Sequence, residues 1–135
     1  MIFLDTNVVI TFFNSPLCRL GIRMTEALTA GSPLAVSSVV LFELWYGTAK
    51  SKQIQQNSDR IRDFLSAPIE VIAFDADDAR EAGDIRAALE RVGKPIGPYD
   101  VLIAAQARRR RALLVTANER EFERVPGLRT EDWAA

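Results

Sequence analysis

The sequence of 135 residues contains no histidine and only one cysteine, Cys18. Without histidine, the chain can build neither a Ser-His-Asp triad nor a histidine-ligated zinc site. A single cysteine excludes an internal disulfide and a cysteine-rich metal site, and it fits a reducing compartment. Carboxylates are therefore the abundant reactive side chains, with 18 Asp and Glu residues. Their hard oxygen atoms suit Mg²⁺ or Mn²⁺, so metal-assisted chemistry is the reaction class to consider.

The sequence also lacks a long hydrophobic run and a large net charge. No stretch is long enough to cross a bilayer, and the apolar N-terminus carries Asp5 but no basic segment of a signal peptide. We therefore expect a cytoplasmic protein without a membrane partner. Because the net charge is −1, a nucleic acid would have to bind through a local basic patch or through metal ions.

The order of apolar segments predicts one continuous α/β unit. The length fits a single domain over residues 1–135, and no repeat or linker divides it. Short apolar runs predict strands at 2–4, 34–37, 69–72 and 113–115, with helical periodicity between them and a short helix and a final strand or coil behind them. We predict a three-layer α/β/α sandwich around a central, mostly parallel sheet.

Three carboxylates stand out by their positions. Asp5 follows the first predicted strand, where it can cap the next helix, as Thr6 or Asn7 also can, or can bind a ligand at the carboxyl end of the sheet. Glu43 lies in the apolar segment VVLFELWYG, whose side chains leave little polar surface around it. Asp100 falls in the first turn of a helix after Pro98, where the helix dipole alone would favour it.

A further group of polar residues follows the fourth predicted strand: Thr116, Asn118, Glu119 and Glu121. Each alone is an ordinary loop residue. As a set, carboxylates behind different strands of a parallel sheet meet at one edge, where they repel one another unless cations neutralise them. One or two Mg²⁺ ions would do so, activate a water and stabilise charge on a phosphate.

Four consecutive arginines occupy positions 108–111. They fit a solvated helix end with favourable charge–dipole placement, and RNA-phosphate contact is the alternative. Positive charge in the same half of the chain comes from Arg86, Arg91, Lys94, Arg120 and Arg124.

The sequence resembles the VapC toxins, which are PIN-domain ribonucleases of bacterial type II toxin–antitoxin pairs. MIFLDTN, SSVVLFELWYG, GKPIGPYDVLIAAQA and VTANEREFERVPGLRTEDW carry the resemblance, in family order along essentially the whole chain. It implies a PIN-like sandwich, Mg²⁺-dependent RNA cleavage with Mn²⁺ as a substitute, a VapB antitoxin that blocks the site, and toxin dimers. GKPIGPYD and VPGLRTEDW resemble the branch that cleaves initiator tRNA in its anticodon stem-loop.

The resemblance also implies the site. Asp5 and Asp100 match the metal-binding aspartates of the family, and Glu43 matches the glutamate of its Glu-Leu-x-Tyr-Gly motif. Many PIN domains have a fourth aspartate where this chain has Asn118, so we predict Glu121 as the fourth acid, with Asn118 and Thr6 as supporting groups. Because the fourth acid differs from the family pattern, the resemblance supports a second metal less than it supports the first.

Two other functions are compatible with parts of the pattern. Asp5-Thr6-Asn7 vaguely resembles the D-x-D nucleophile of aspartyl-phosphate phosphatases, although Asn7 replaces the second aspartate. A PIN-like scaffold that binds RNA or a protein without cleavage is the non-enzymatic alternative, and the intact set Asp5, Glu43 and Asp100 argues against it.

Overall fold

A computed structural model describes residues 1–135, with five strands and seven helices. In chain order they are β1 (Ile2–Leu4), α1 (Thr6–Asn14), α2 (Arg19–Thr29), β2 (Leu34–Ser37), α3 (Ser38–Ala49), α4 (Ile54–Ser66), β3 (Glu70–Ile72), α5 (Ala76–Arg91), α6 (Pro98–Arg109), β4 (Leu113–Val115), α7 (Glu119–Phe122) and β5 (Arg129–Glu131). The four predicted strands are present within one residue of their expected bounds. The tail supplies the fifth strand, which the sequence left open between strand and coil.

All five strands belong to one sheet in the order β3-β2-β1-β4-β5, and every neighbouring pair is parallel. The predicted mostly parallel sheet is therefore entirely parallel. The chain starts in the middle at β1, builds outward to β3, and then returns to the other side of β1 to form β4 and β5. The order reverses between β1 and β4, and in such sheets this reversal opens a crevice at the carboxyl ends of the strands.

The helices form the two outer layers. Parallel crossovers are right-handed, so the helices of the outward path (α1 to α4) cover one face and those of the return path (α5 to α7) cover the other. The strands between them are apolar because both faces are covered: Phe3, Leu4, Val36, Leu114 and Val115 are fully buried. They belong to one cluster of 28 buried hydrophobic residues. The predicted α/β/α sandwich is confirmed.

Helix boundaries refine two sequence predictions. The cap of α1 is Asp5, whose side chain accepts from the Thr6 amide, so of the three predicted candidates Asp5 is confirmed and Thr6 and Asn7 are wrong. Ser37 caps α3 by accepting from the Val39 amide at 2.9 Å. Asp5 is the first residue after β1, and Ser37 is the last residue of β2. The N-termini of α1 and α3 therefore lie directly at the carboxyl edge of the sheet. No helix is long and apolar enough to span a bilayer.

Three of the four arginines at positions 108–111 pair with acids of α5. Arg109 and Arg110 at the end of α6 donate to the Asp78 carboxylate of α5 at 2.8 and 2.7 Å. Arg108 donates to Glu81 of α5 at 3.2 Å. These ion pairs join α5 to α6. Arg108 and Arg109 lie in the last turn of α6, as the helix-end interpretation predicted, but the sequence did not reveal their acidic partners on a neighbouring helix.

Candidate active site

The candidate site lies in the crevice between β1 and β4. Asp5 follows β1 directly, and its amide donates to the Val115 carbonyl at the end of β4 at 3.0 Å. Thr116, the first residue after β4, is fully buried beside it. The parallel pairing of β1 with β4 therefore brings residues that are more than 110 positions apart into direct contact.

Asp5 is held by hydrogen bonds to both of its carboxylate oxygens. One accepts from the Thr6 amide at 2.8 Å and the other from the Thr116 hydroxyl at 2.9 Å. Only 6% of the residue is exposed. Burial raises the pKa of Asp5 above its usual value, the two hydrogen bonds oppose this, and the nearby charge of Glu121 adds to it. Asp5 is thus both a helix cap and a fixed member of the site, as the two sequence interpretations allowed.

Glu43 of α3 is positioned by Thr6 of the neighbouring helix α1. The Thr6 hydroxyl donates to the Glu43 carboxylate at 2.7 Å, which links α3 to the start of α1. The expectation that apolar neighbours leave Glu43 little polar surface was wrong. Phe42, Trp45 and Tyr46 are 50%, 37% and 58% exposed, so these large side chains face outward. Glu43 itself is half-buried and lies beside an open groove of about 590 Å³ that reaches Tyr46 and Lys50.

Asp100 and Glu121 meet around Gly97. The Gly97 amide donates to Glu121 at 2.7 Å, and a side chain on Gly97 would place its Cβ 3.0 Å from the Asp100 carboxylate. Burial raises the pKa of Asp100 to about 7, reinforced by the charges of Asp5 and Glu121 and by hydrogen bonding to Glu121. These effects show that the carboxylates of Asp5, Asp100 and Glu121 share one electrostatic environment, to which Glu43 also contributes.

Asn118 connects Glu121 to the strand end. Its side-chain amide donates to the Glu121 carboxylate, and its backbone amide donates to the Thr116 hydroxyl at 3.0 Å. Asn118 therefore lies between Glu121 and Thr116, and its supporting role stays a prediction. Glu119, in contrast, turns away from the cluster and accepts from Thr130 of β5 at 2.9 Å.

The four acids have no cationic side chain as a partner. All nine ion pairs of the chain involve other carboxylates, so nothing within the protein neutralises Asp5, Glu43, Asp100 and Glu121. The cluster is open, and no three acidic side chains are already closed around a metal position. Unneutralised carboxylates with hard oxygen donors fit a divalent cation, which would draw them together and relieve their repulsion.

Sequence reasoning missed two residues of the site. Thr116 was treated as an ordinary loop residue, although a hydroxyl placed directly after a buried strand is a recognisable signal. Gly97 was noted only as part of a motif. Its conformation, with φ of −55°, is open to any residue, so only the approach of Asp100 and Glu121 reveals that a side chain there would force the Asp100 carboxylate to shift.

The chain is similar to known proteins over nearly its whole length. A family model described as the PIN domain matches residues 2–128. The tRNA(fMet)-specific endonuclease VapC of Shigella flexneri is 47% identical over 97% of this chain and 96% of its own length. The enzyme of the same name from Salmonella typhimurium is 44% identical over 96% of each chain.

Solved structures of similar proteins share the fold. VapBC2 from Rickettsia felis, bound to a DNA fragment from its promoter, superposes with a TM-score of 0.88 at 37% identity, covering 97% of this chain and 98% of that chain. DNA-bound VapBC from Salmonella typhimurium gives a TM-score of 0.87 at 41% identity and covers 98% and 97% of the two chains.

Proposed function

This chain belongs to the PIN-domain family and, within it, to the VapC ribonucleases, and we propose that it is a divalent-metal-dependent endoribonuclease that serves as the toxin of a type II toxin–antitoxin pair. The observation that carries the proposal is the convergence of four carboxylates, unpaired with any cationic side chain, at the β1/β4 crevice. We also propose that residues 1–135 act as one PIN domain, a view supported by the single cluster of 28 buried hydrophobic residues.

Asp5 and Asp100 are the metal-holding residues of the proposal. Asp5 is fixed by Thr6 and Thr116, so its oxygens keep one orientation without a ligand. Asp100 has a raised pKa of about 7 and exchanges a proton near neutral pH, so a cation can displace that proton at little cost. Glu43 and Glu121 face the same crevice from α3 and α7 and complete the acidic wall around the scissile phosphate.

The cation we propose is Mg²⁺, with Mn²⁺ as a substitute, because both prefer carboxylate oxygens. When bound, it lowers the pKa of water and neutralises charge on the phosphate. Glu121 is held by the Gly97 amide and Asn118, which leaves it less free than Glu43 to turn towards a cation. Glu121 therefore completes the outer side of the site in this proposal.

The substrate we propose is tRNA, with initiator tRNA cleaved in the anticodon stem-loop as the specific target. The support is the name of the relatives from Shigella flexneri and Salmonella typhimurium, which match this chain over nearly their full lengths. Such a substrate places the activity in the cytoplasm.

The partner we propose is a VapB-type antitoxin, supported by the VapBC complexes among the similar structures. An assembly is also supported by exposed aromatic side chains next to the site. Phe42 contacts Tyr46 and Tyr99, with ring centroids 6.4 and 5.4 Å apart, and the three rings are 46% to 58% exposed. Such a patch is typical of a protein interface, so we propose a homodimer or a toxin–antitoxin hetero-oligomer.

The test is cleavage of total bacterial RNA by the purified chain, freed of antitoxin, with Mg²⁺ and with EDTA. We expect discrete Mg²⁺-dependent fragments whose ends map to the anticodon stem-loop of initiator tRNA. Asp5→Ala should abolish them, whereas Asp84→Ala, which removes an exposed acid of α5 that makes no ion pair, should not. Absence of cleavage by the folded, metal-supplied parent across diverse RNAs would instead favour a non-cleaving RNA-binding module.

A further inference from the structure

An acidic site on a chain of net charge −1 repels the polyanion that it is proposed to cleave. RNA binding therefore requires cations that are near the site and free of internal partners. Six of the fourteen arginines fail this condition. Arg23, Arg62, Arg86, Arg108, Arg109 and Arg110 are all engaged in ion pairs with acids of the chain. The search for an RNA-binding surface therefore reduces to the cations outside these pairs.

Three cations outside these pairs line one open hollow of about 610 Å³ at the surface. They are Lys94, from the loop after α5, and Arg120 and Arg124, from α7 and the turn behind it; Glu123 is the only acid in the lining. Lys94 and Arg120 are exposed and have no acid within 4.0 Å. Four other hollows of the molecule are each lined by a single basic residue.

The hollow adjoins the candidate active site through both of its walls. Lys94 precedes Gly97 by three residues, so the two Cα atoms lie within about 10 Å of each other. Arg120 is the neighbour of Glu121 in α7. The guanidinium of Arg124 donates to the Pro95 carbonyl at 2.9 Å and ties the two walls together. The same two segments that hold Asp100 and Glu121 around Gly97 thus carry the basic residues outside it.

We propose that Lys94 and Arg120 form a seat for a backbone phosphate of the RNA strand, outside the phosphate that is cleaved, and that Arg124 shapes this seat by fixing the loop. The inference rests on the proposed ribonuclease function and adds to it the direction in which the strand leaves the site. Two unpaired cations facing one phosphate bind it without reading sequence, so the seat contributes affinity and position rather than specificity.

The test measures binding of a labelled anticodon stem-loop RNA in EDTA, where cleavage does not interfere, over a series of salt concentrations. The variant is Lys94→Ala with Arg120→Ala, and the matched control is Arg19→Ala with Arg80→Ala, which removes two exposed arginines that make no ion pair. Arg124 is left intact because its loss would disturb the loop.

We expect the slope of log K against log salt to fall by roughly 0.7–0.9 for each lost phosphate contact. The Kd should rise on the order of tenfold at low salt, while the control keeps the slope and Kd of the parent. With Mg²⁺, KM should rise and kcat should stay unchanged, and Lys94→Arg should keep the affinity of the parent. An unchanged slope, or a fall in kcat with KM unchanged, would overturn the proposal that Lys94 and Arg120 bind a backbone phosphate. Failure of the parent itself to cleave RNA would contradict the proposed function. The comparison of RNA binding in EDTA would still decide whether Lys94 and Arg120 bind a phosphate.

Discussion

The molecule contains two clusters of acidic side chains that differ in their neighbours. At the β1/β4 crevice, Asp100 is surrounded by other carboxylates, and burial with their charges raises its pKa to about 7. Between α5 and α6, Asp78 is fully buried, yet its pKa lies well below its usual range. Burial alone would raise the pKa of Asp78, but hydrogen bonds from Arg110, from the Asp75 amide and from Arg109 outweigh it.

The difference in neighbours indicates a different role for each acidic cluster. The α5/α6 cluster is electrostatically complete, because two arginines and the capping box with Asp75 satisfy Asp78. The crevice cluster is incomplete within the chain and gains stability only from a proton or an external cation. One residue type thus serves a structural function where cations surround it and fits a binding function where they do not.

Among the variants that distinguish the two acidic clusters, we expect the largest effect on RNA cleavage from Asp100→Asn. Loss of this carboxylate should lower Mg²⁺-dependent RNA cleavage by about 10³-fold, because it removes a proposed metal-holding group. In EDTA at pH 8 the same change should raise the free energy of unfolding by about 1–2 kcal/mol, less than full linkage gives because Asp100 is partly exposed. RNA cleavage assays and urea denaturation measure the two effects.

The pH dependence follows from the same shift. The folded-state pKa of Asp100 is raised, so its contribution is fully favourable below about pH 4 and is lost as the pH rises towards about 7. The metal-free parent should therefore lose stability over this interval, and Asp100→Asn should lose less. A parent and variant with the same pH profile in EDTA would contradict the raised pKa.

Asp78→Asn should have the opposite signature. It removes the buried carboxylate that lies nearest to Arg109 and Arg110 and leaves them only the more exposed Asp75 and Asp77, so the free energy of unfolding should fall by about 2–4 kcal/mol above pH 5. The pKa of Asp78 is lowered, so its contribution is present above about pH 4 and is lost as the pH falls through the folded-state value. The stability difference between variant and parent should therefore shrink at low pH.

RNA cleavage by Asp78→Asn tests whether this substitution affects stability alone. Asp78 lies outside the crevice, so cleavage at a temperature where the variant stays folded should remain close to that of the parent. A folded Asp78→Asn protein without activity would mean that the two clusters are coupled, and the division between structural and functional acids would fail.

Gly97→Ala should affect the crevice alone. Its Cβ would lie 3.0 Å from the Asp100 carboxylate, which must shift while the backbone keeps an ordinary conformation. We expect cleavage to fall on the order of 10- to 100-fold, because small displacements of reacting groups are costly. Gly83→Ala in α5, where a Cβ meets no atom within 4 Å, is the control and should gain stability without loss of activity. Equal activity of the two variants would show that Asp100 tolerates the shift.

The smallest effect is expected from Thr116→Val. The variant keeps the shape of the side chain but removes the hydroxyl that donates to Asp5 and accepts from the Asn118 amide. Loss of a group that orients a metal-holding carboxylate should lower cleavage about 10-fold. Thr116→Ser retains the hydroxyl and should restore most of the activity in the same assay. If serine and valine behave alike, the hydroxyl does not orient Asp5.

The sequence alone predicted the sheet and the acids of the crevice, because these depend on local signals. Apolar runs located the strands, and Asp5 and Asp100 stand at element boundaries that capping rules identify. Cleavage assays must test the predicted roles of the four acids Asp5, Glu43, Asp100 and Glu121. The outward orientation of Phe42 and Tyr46 was not predictable, because an apolar helix sequence does not reveal which of its faces is covered.

The tertiary structure decided how charges are paired. Four arginines in sequence look alike, yet three of them bind Asp78 and Glu81 on a neighbouring helix, whereas Lys94 and Arg120 have no such partner. The contact of Thr116 with Asp5 likewise depends on the pairing of β1 with β4 across 111 positions. Local sequence fixes backbone conformation through short-range sterics and hydrogen bonds. A pKa and an ion pair depend instead on charges brought together from distant positions, and only the folded chain determines those distances.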